Sequence, residues 1–304
     1  MARLALGTVQ FGLDYGLTNS FGKPDATAVA SILETAFDNG ITVMDTASAY
    51  GSAENVLGQN LPGDSSWARI TSKLPPLLDA SKSELRVTSS TISKAETAIT
   101  QSLHRLNRQK IDALMTHRAF DLLCEGGDQL WSFMENLQQA GKVGRIGASV
   151  YSPEEADNLL NRYPIDIIQL PANLYDDRFV KSGVLERLHA AGVQVHARSL
   201  YLQGLLLTPP QKLQEQFVGI KEHHSHLFAS IENFGLTSIV ACLAPYINLE
   251  GIDYLVIGCQ NKAQLEELIE AEKLSKQIST KISDNLRHNY ALGNSNIINP
   301  SLWK

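Results

Sequence analysis

The sequence is poor in cysteine: only Cys124, Cys242 and Cys259 occur among 304 residues. They are odd in number, far apart and form no Cys-x-x-Cys pair. This argues against a disulfide framework or a structural zinc site and fits a reducing cytoplasm. No stretch approaches the ~20 uninterrupted apolar residues that a bilayer-crossing helix needs, so no membrane partner is expected. The opening MARLALGTVQFG places one Arg before an apolar run too short for a secretory signal. Blocks of Lys or Arg are also missing, and the formal charge is −6, which argues against a nucleic-acid partner. No Pro/Ser-rich linker or low-complexity tract divides the chain, so residues 1–304 are read as a single domain.

What is present is a regular alternation. Short β-branched runs at 4–9, 41–45, 68–73, 111–117, 145–149, 166–170, 193–197 and 253–258 read as eight strands. Stretches with apolar residues at three- and four-residue spacing read as helices at 26–39, 89–106, 129–140, 153–161, 183–190 and 262–271. Asp25 stands where the first of these needs an N-cap, and Gly141 and Gly192 stand where helix C-caps are expected. Repeated strand-then-helix units favour a parallel sheet with right-handed crossovers. An open doubly wound sheet is the rival, but it would carry a Gly-rich dinucleotide fingerprint after its first strand. Gly7-Thr-Val-Gln-Phe-Gly12 lacks that spacing. The count of eight and the missing fingerprint both favour an α/β fold of the (β/α)8 TIM-barrel type. The long irregular stretches 10–24, 74–88 and 200–216 all follow strands and belong at the C-terminal mouth.

Four polar residues stand at or just beyond consecutive strand ends: Asp45, Tyr50, Lys73 and His117. In a closed barrel neighbouring strand ends converge, so side chains over seventy residues apart can meet. Their chemistry is coherent. A phenol with a pKa near ~10 is a poor proton donor at neutrality, and an adjacent ammonium lowers that value. The set reads as Tyr50 the general acid/base, Lys73 and Asp45 its tuning pair, and His117 the group that orients a carbonyl. Taken singly, each has a structural explanation, such as a helix cap for Asp45 or a surface position for Lys73. Taken together they read as catalytic.

Asp45-x4-Tyr50-Gly51, followed by Glu54 and Leu57-Gly58, resembles the aldo-keto reductase signature, and Lys73 and His117 fall where that family places its other catalytic residues. The likeness continues through Gly141-Lys-Val-Gly-Arg-Ile-Gly-Ala-Ser149, Gln169 with Pro171-Ala-Asn173, Arg198-Ser-Leu-Tyr-Leu-Gln-Gly204, and Leu255-Val-Ile-Gly258 to Glu267. The resemblance implies an NADP(H)- or NAD(H)-dependent oxidoreductase that works without metal and reduces a small-molecule carbonyl substrate. Asp45, Ser149, Gln169, Arg198, Gly258, Lys262, Gln264 and Glu267 are its implied cofactor contacts, and Tyr50 and His117 its substrate contacts.

Three departures from the family pattern carry expectations. Ser149-Val150 stands where many relatives have Ser-Asn. Gly258 and Gln264 stand where NADPH-specific relatives place a cation, leaving Lys262 to reach a 2′-phosphate and NADH use open. Arg118 replaces a Trp after the catalytic His, which points to a polar or anionic substrate, such as a sugar derivative, held by Arg118. Two alternatives stay open: net oxidation of a sugar or alcohol, and a non-catalytic cofactor-binding regulatory subunit. Elsewhere the bland readings are preferred. His223, His224 and His226 read as a solvated face, not a metal cluster. His196 reads as a buried, hydrogen-bonded histidine, and Cys259 as a small filler. Arg178 is weighed between substrate and an ion pair with Asp176 or Asp177. The segment 275–304 is expected to pack on the barrel, over its wall or its mouth. The oligomeric state is not legible.

Overall fold

A computed structural model describes residues 1–19, 22–61, 67–78 and 85–303. The stretches 10–24, 74–88 and 275–304 therefore lie partly outside the described residues. Eight parallel strands close into one barrel in sequence order: β1 (Arg3–Gly7), β2 (Val43–Asp45), β3 (Arg69–Leu74), β4 (Ile111–Thr116), β5 (Val143–Ser149), β6 (Ile167–Pro171), β7 (Gln194–Arg198) and β8 (Tyr254–Gly258). The last closes on the first, with Gly258 opposite Gly7. This is the single-domain barrel expected from the strand count. The expected strand limits differ from those observed by at most two residues.

Alternate residues of each strand face opposite sides, and the core divides accordingly. Leu4, Leu6, Met44, Leu114, Ile168, Leu170, Leu255 and Ile257 belong to the large apolar layer between strands and helices. Their neighbours Ala5, Val43 and Tyr254, and separately Ala113, Met115 and Ile167, form two small clusters apart from that layer. These fill the barrel interior. The residue two places past an interior residue lies on the same inward row, at the C-terminal rim. The rim therefore receives Gly7 after Ala5, Asp45 after Val43, His117 after Met115, Gln169 after Ile167 and Gly258 after Val256. By the same count Lys73 follows Thr71, and Arg198 follows His196.

Outside the barrel, α1 (Ala26–Asp38) starts at Asp25, whose side chain accepts from the Ala28 amide at 2.8 Å. Phe37 near its C-terminal end is exposed and packs edge-on to Trp67. The remaining helices of seven or more residues are α2 (Ala53–Asn60), α3 (Ser89–Arg105), α4 (Gly127–Gln139), α5 (Pro153–Arg162), α6 (Val184–Ala190), α7 (Lys221–Asn233), α8 (Ser238–Ile247), α9 (Lys262–Ser275) and α10 (Thr280–Asn289). Periodicity missed α8 for two reasons. Residues 240 to 247 are all buried, so no polar face marks the period, and Pro245 inside the helix imitates a stop. Among the described residues no single helix is long and apolar enough to cross a membrane.

The histidine cluster is a correction. His224 is fully buried, not solvated. It bonds the Tyr175 hydroxyl and, at 2.7 Å, the Thr208 carbonyl, while His223 bonds the Tyr290 carbonyl. No group of three or more metal-ligating side chains occurs among the described residues. The three cysteines are buried free thiols, and burial pushes Cys259 up to about 12.

Candidate active site

Register and loop contacts assemble the rim. Asp45 of β2 lies opposite Gly7 of β1 and Thr71 of β3. Lys73, two residues further along β3, reaches back over it. Its Nζ donates to both carboxylate oxygens of Asp45 at 2.9 Å and to the Thr46 carbonyl at 3.0 Å. Lys73 is 1% exposed, so this ion pair is buried. Gln169 of β6 crosses the mouth and donates its Nε2 to Asp45 Oδ2 at 2.7 Å.

Tyr50 sits in the turn between β2 and α2. Its amide bonds the Ala47 carbonyl, and its own carbonyl accepts from Ala53. The turn presses against the first loop so closely that a Cβ on Gly12 would lie 1.8 Å from the Tyr50 carbonyl oxygen. Gly51 has φ +56°, and a Cβ there would lie 2.5 Å from the Gly12 carbonyl. Glycine is required on both sides of this contact. Glu54, in the first turn of α2, is buried and accepts from Ser72, Ser102 and Arg105, tying the turn to β3 and α3. The Tyr50 and His117 rings stand nearly perpendicular at 5.8 Å, and Lys73 Nζ lies 5.3 Å from the Tyr50 ring centre. The four residues marked in the sequence thus meet around one cavity of about 510 Å³.

The electrostatics differ from expectation. Burial pushes the Tyr50 phenol above its ordinary value, and the Asp45 carboxylate pushes it further the same way. The expected lowering is not seen, because burial and the Asp45 carboxylate both act in the opposite direction. Tyr50 is therefore a neutral phenol that holds its proton. Burial also lowers Lys73, with Asp45 opposing. His117 is pushed down to about 4 by burial and then by the Lys73 charge. It is neutral at pH 7 and can position a carbonyl without protonating it.

The same cavity is lined by Ser149, Gln169, Arg198, Gly258, Gln264 and Glu267. Lys262 and Arg118 are not brought there. Lys262 is exposed on the first turn of α9 and faces Glu266 at 3.7 Å. Arg118 is exposed and lies off the inward row that carries His117, its neighbour on the chain. Besides Lys73, the cation that lines the mouth is Arg198. Arg178 makes its ion pair with Asp176. His196 is buried, but neither ring nitrogen has a protein partner among the described residues, and burial holds it near 4. Sequence reasoning passed over Tyr15 and Tyr151, which also line the cavity, and left the terminal segment between wall and mouth; its Asn299 to Ser301 line the cavity as well. Tyr151 could have been found from its place two residues past Ser149. The sequence could not choose between wall and mouth for the C-terminal turn, because only folding brings it there.

The cavity's polar groups suit a nicotinamide. Gln169 Nε2 is fixed by Asp45, so its buried Oε1 stays unpartnered and can receive a carboxamide N–H. The Gln10 side chain lies close against Gly258, 2.6 Å from where a Cβ would stand, so a larger residue there would have to push that side chain aside. The cavity volume lies within the range typical of small-molecule and cofactor sites.

Comparison with known proteins agrees. The model of the Aldo/keto reductase family matches residues 3–286, and the chain belongs to that family. Its members are oxidoreductases of carbonyl and alcohol groups that use a nicotinamide cofactor. An L-glyceraldehyde 3-phosphate reductase from Escherichia coli is 30% identical over 213 residues, which is 64% of this chain and 59% of that protein. An aldo-keto reductase from Bacillus subtilis is 27% identical over 60% of this chain and 53% of its own length. The chain thus spans little more than half the length of these relatives. Among solved structures, the holo form of an aldo-keto reductase from Bacillus halodurans shares the fold with a TM-score of 0.77 at 19% identity. That alignment covers 95% of this chain and 92% of the other. A glycerol dehydrogenase from Gluconobacter oxydans shares it at 0.69 and 20% identity, covering 99% and 95%.

Proposed function

We propose that this chain reduces a small polar aldehyde or ketone to the alcohol with NADH or NADPH, using Tyr50 as the proton donor. The observation that carries this reading is the convergence of Asp45, Tyr50, Lys73 and His117 on one cavity. Bound nicotinamide supplies the hydride. The chain's own groups do the rest. His117, neutral, donates a ring N–H to the substrate carbonyl oxygen and aims it at Tyr50. As negative charge develops on that oxygen, the Tyr50 hydroxyl gives up its proton. Lys73 then faces the developing phenolate, and Asp45 holds the ammonium in place. Ser149 and Gln169 are read as the carboxamide contacts, and Gly258, Gln264 and Glu267 as the adenosine end.

The phenol held in its protonated form favours the reductive direction, although the same groups run the oxidation in reverse. An intact proton-donor set speaks against a purely regulatory role. The 30%-identical relative named for glyceraldehyde 3-phosphate supports a small, polar carbonyl substrate. For the nucleotide we read a preference for NADH. Lys73 and Arg198 are the only Lys or Arg lining the cavity among the described residues, and the α9 end offers Gln264 and the Glu267 carboxylate instead. A carboxylate accepts from a ribose diol and repels a 2′-phosphate. Purified chain mixed with NADH or NADPH and a panel of aldoses and ketones, followed by nicotinamide absorbance, tests the reading. Turnover that persists in Tyr50→Phe removes the mechanism.

A further inference from the structure

The barrel has a second rim, at the N-terminal ends of its strands, and that rim is cationic. The inward row that supplies the mouth can be followed the other way. Two residues before Ala5 stands Arg3, two before Thr71 stands Arg69, two before Gly147 stands Arg145, and two before His196 stands Gln194. The register sets these four level. Direct partners run from Gly7 at the top of β1 through Asp45, Thr71 and Ala113 to Arg145 at the bottom of β5, a drop of one position per strand. In such a barrel one side chain from each alternate strand meets the others in a layer across the axis. β1, β3, β5 and β7 thus close the bottom with three guanidiniums and one amide.

Neutral groups hold this layer in place. Arg69 Nη2 donates to the Tyr254 hydroxyl at 2.8 Å and to Thr42 Oγ1 at 3.0 Å. The guanidinium carbons of Arg3 and Arg69 lie 5.1 and 5.7 Å from the centre of the buried Tyr254 ring. The charges of Arg145 and Arg69 both reach His196, further up the axis. The carboxylates at this end are committed elsewhere. Asp112, Asp166 and Asp253 each accept from the amide of a neighbouring strand, Ile70 at 2.7 Å, Ile146 at 3.0 Å and Val195 at 2.8 Å. Among the described residues no carboxylate pairs with Arg3, Arg69 or Arg145, whereas Arg105, Arg178 and Arg287 each hold one. The whole chain carries −6, so basic composition does not account for this pole. Three like charges gathered on one axis repel, and an anion set among them relieves the repulsion.

We propose that the N-terminal pole of the barrel is a phosphate-binding site, separate from the mouth, in which Arg3, Arg69, Arg145 and Gln194 hold the anion. Forks arriving from three sides match a tetrahedral group with oxygens on every face and more than one charge. A carboxylate, planar and singly charged, would engage one fork and leave the others unbalanced. Tyr254 closes the floor, and the exposed Arg3 and Arg145 leave the outer side open. Free phosphate and the phosphoryl end of a larger molecule share this chemistry. The site lies at the opposite pole from Tyr50 and takes no part in the proton transfer.

Calorimetric titration of the full chain with inorganic phosphate, phenyl phosphate and acetate tests this. Phosphate should bind, and acetate should bind about tenfold more weakly or worse. Phenyl phosphate as tight as phosphate identifies a site for a phosphoryl end, and much weaker binding identifies a site for the free anion. Arg3→Gln combined with Arg145→Gln should weaken phosphate by about tenfold for each guanidinium removed and abolish the rise in thermal midpoint that phosphate gives the parent. Should the double variant fold poorly, Arg145→Gln alone gives a smaller loss of the same sign. No binding to the parent overturns the proposal, and so does unchanged affinity in the double variant. Loss of binding in Arg198→Gln instead overturns it by placing the anion at the mouth. An equal loss in Arg118→Gln with Lys262→Gln, both exposed and remote from this pole, overturns it by showing that net charge alone is being read.

Discussion

The rim of this barrel is built in two ways. On the β2 to β4 side, the functional side chains come from the strands or the first tight turn beyond them and are locked to one another. Lys73 is bound on three oxygens, Asp45 is held by Lys73 and Gln169, and the Tyr50 turn is clamped between Gly12 and Gly51. On the β7 to β8 side the wall is made by long connections. Ser199, Leu202 and Gln203 follow β7 with φ of 64°, 47° and 55°, a left-handed backbone that non-glycine residues seldom adopt. The Gln203 carbonyl accepts from the Leu17 amide, which joins this loop to the loop after β1. The first side fixes a proton donor in one geometry. The second shapes a cavity and brings Arg198 to it. Positions that must not move come from the sheet, and positions that discriminate ligands come from strand ends and the connections beyond them.

The sharpest way to break this contrast is Tyr50→Phe. Removing the hydroxyl removes the proton donor alone, and kcat should fall by about 10² to 10⁴ with little change in thermal midpoint, measured by nicotinamide absorbance and a thermal melt. Next is Lys73→Met, which leaves the Asp45 carboxylate buried without its cation. A loss of about 3–5 kcal/mol in urea unfolding is expected, with partial recovery when Asp45→Asn is added. A single variant as stable as the parent would show that the pair is not locked.

A third effect is on pH. His117 and His196 have folded pKa values near 4 against the ordinary 6.5, so in that window the unfolded chain binds more protons than the folded one. Stability is therefore full above 6.5 and declines as pH falls toward 4. Urea midpoints across this range measure it, and His196→Gln should flatten the slope. On the other side of the rim, Glu267→Gln combined with Gln264→Arg should shift the NADPH-to-NADH ratio of kcat/KM upward by on the order of tenfold. The smallest effects belong to Arg118→Ala and Lys262→Ala. Both side chains are exposed and outside the cavity, so unfolding free energy should stay within about 0.5 kcal/mol of the parent.

Much of the scaffold was legible because it is written in local patterns. Eight short β-branched runs, the Asp25 cap and the inward alternation that ends each strand can all be read from neighbours in the chain. Legibility failed where the relevant neighbour is remote. α8 has no polar face because other elements cover it all round. Arg118 and Arg198 look equally available in sequence, each next to a strand end, and only the inward row that carries Arg198 separates them. The direction of the Tyr50 shift was also misread, because how completely the phenol is buried and how closely the Asp45 carboxylate approaches it depend on remote parts of the chain.

By itself the sequence determined which residue types stand at which strand ends, and with them the closed parallel barrel. Strand periodicity and hydrophobic alternation are short-range, and the pleat converts them directly into a facing direction. Tertiary structure alone decided which cation faces the reacting centre, how far burial lifts the phenol, and which loops and terminal turn close the mouth. Those depend on dehydration and charge pairing among groups gathered from Gly7 to Ser301, and no local pattern in the chain encodes them.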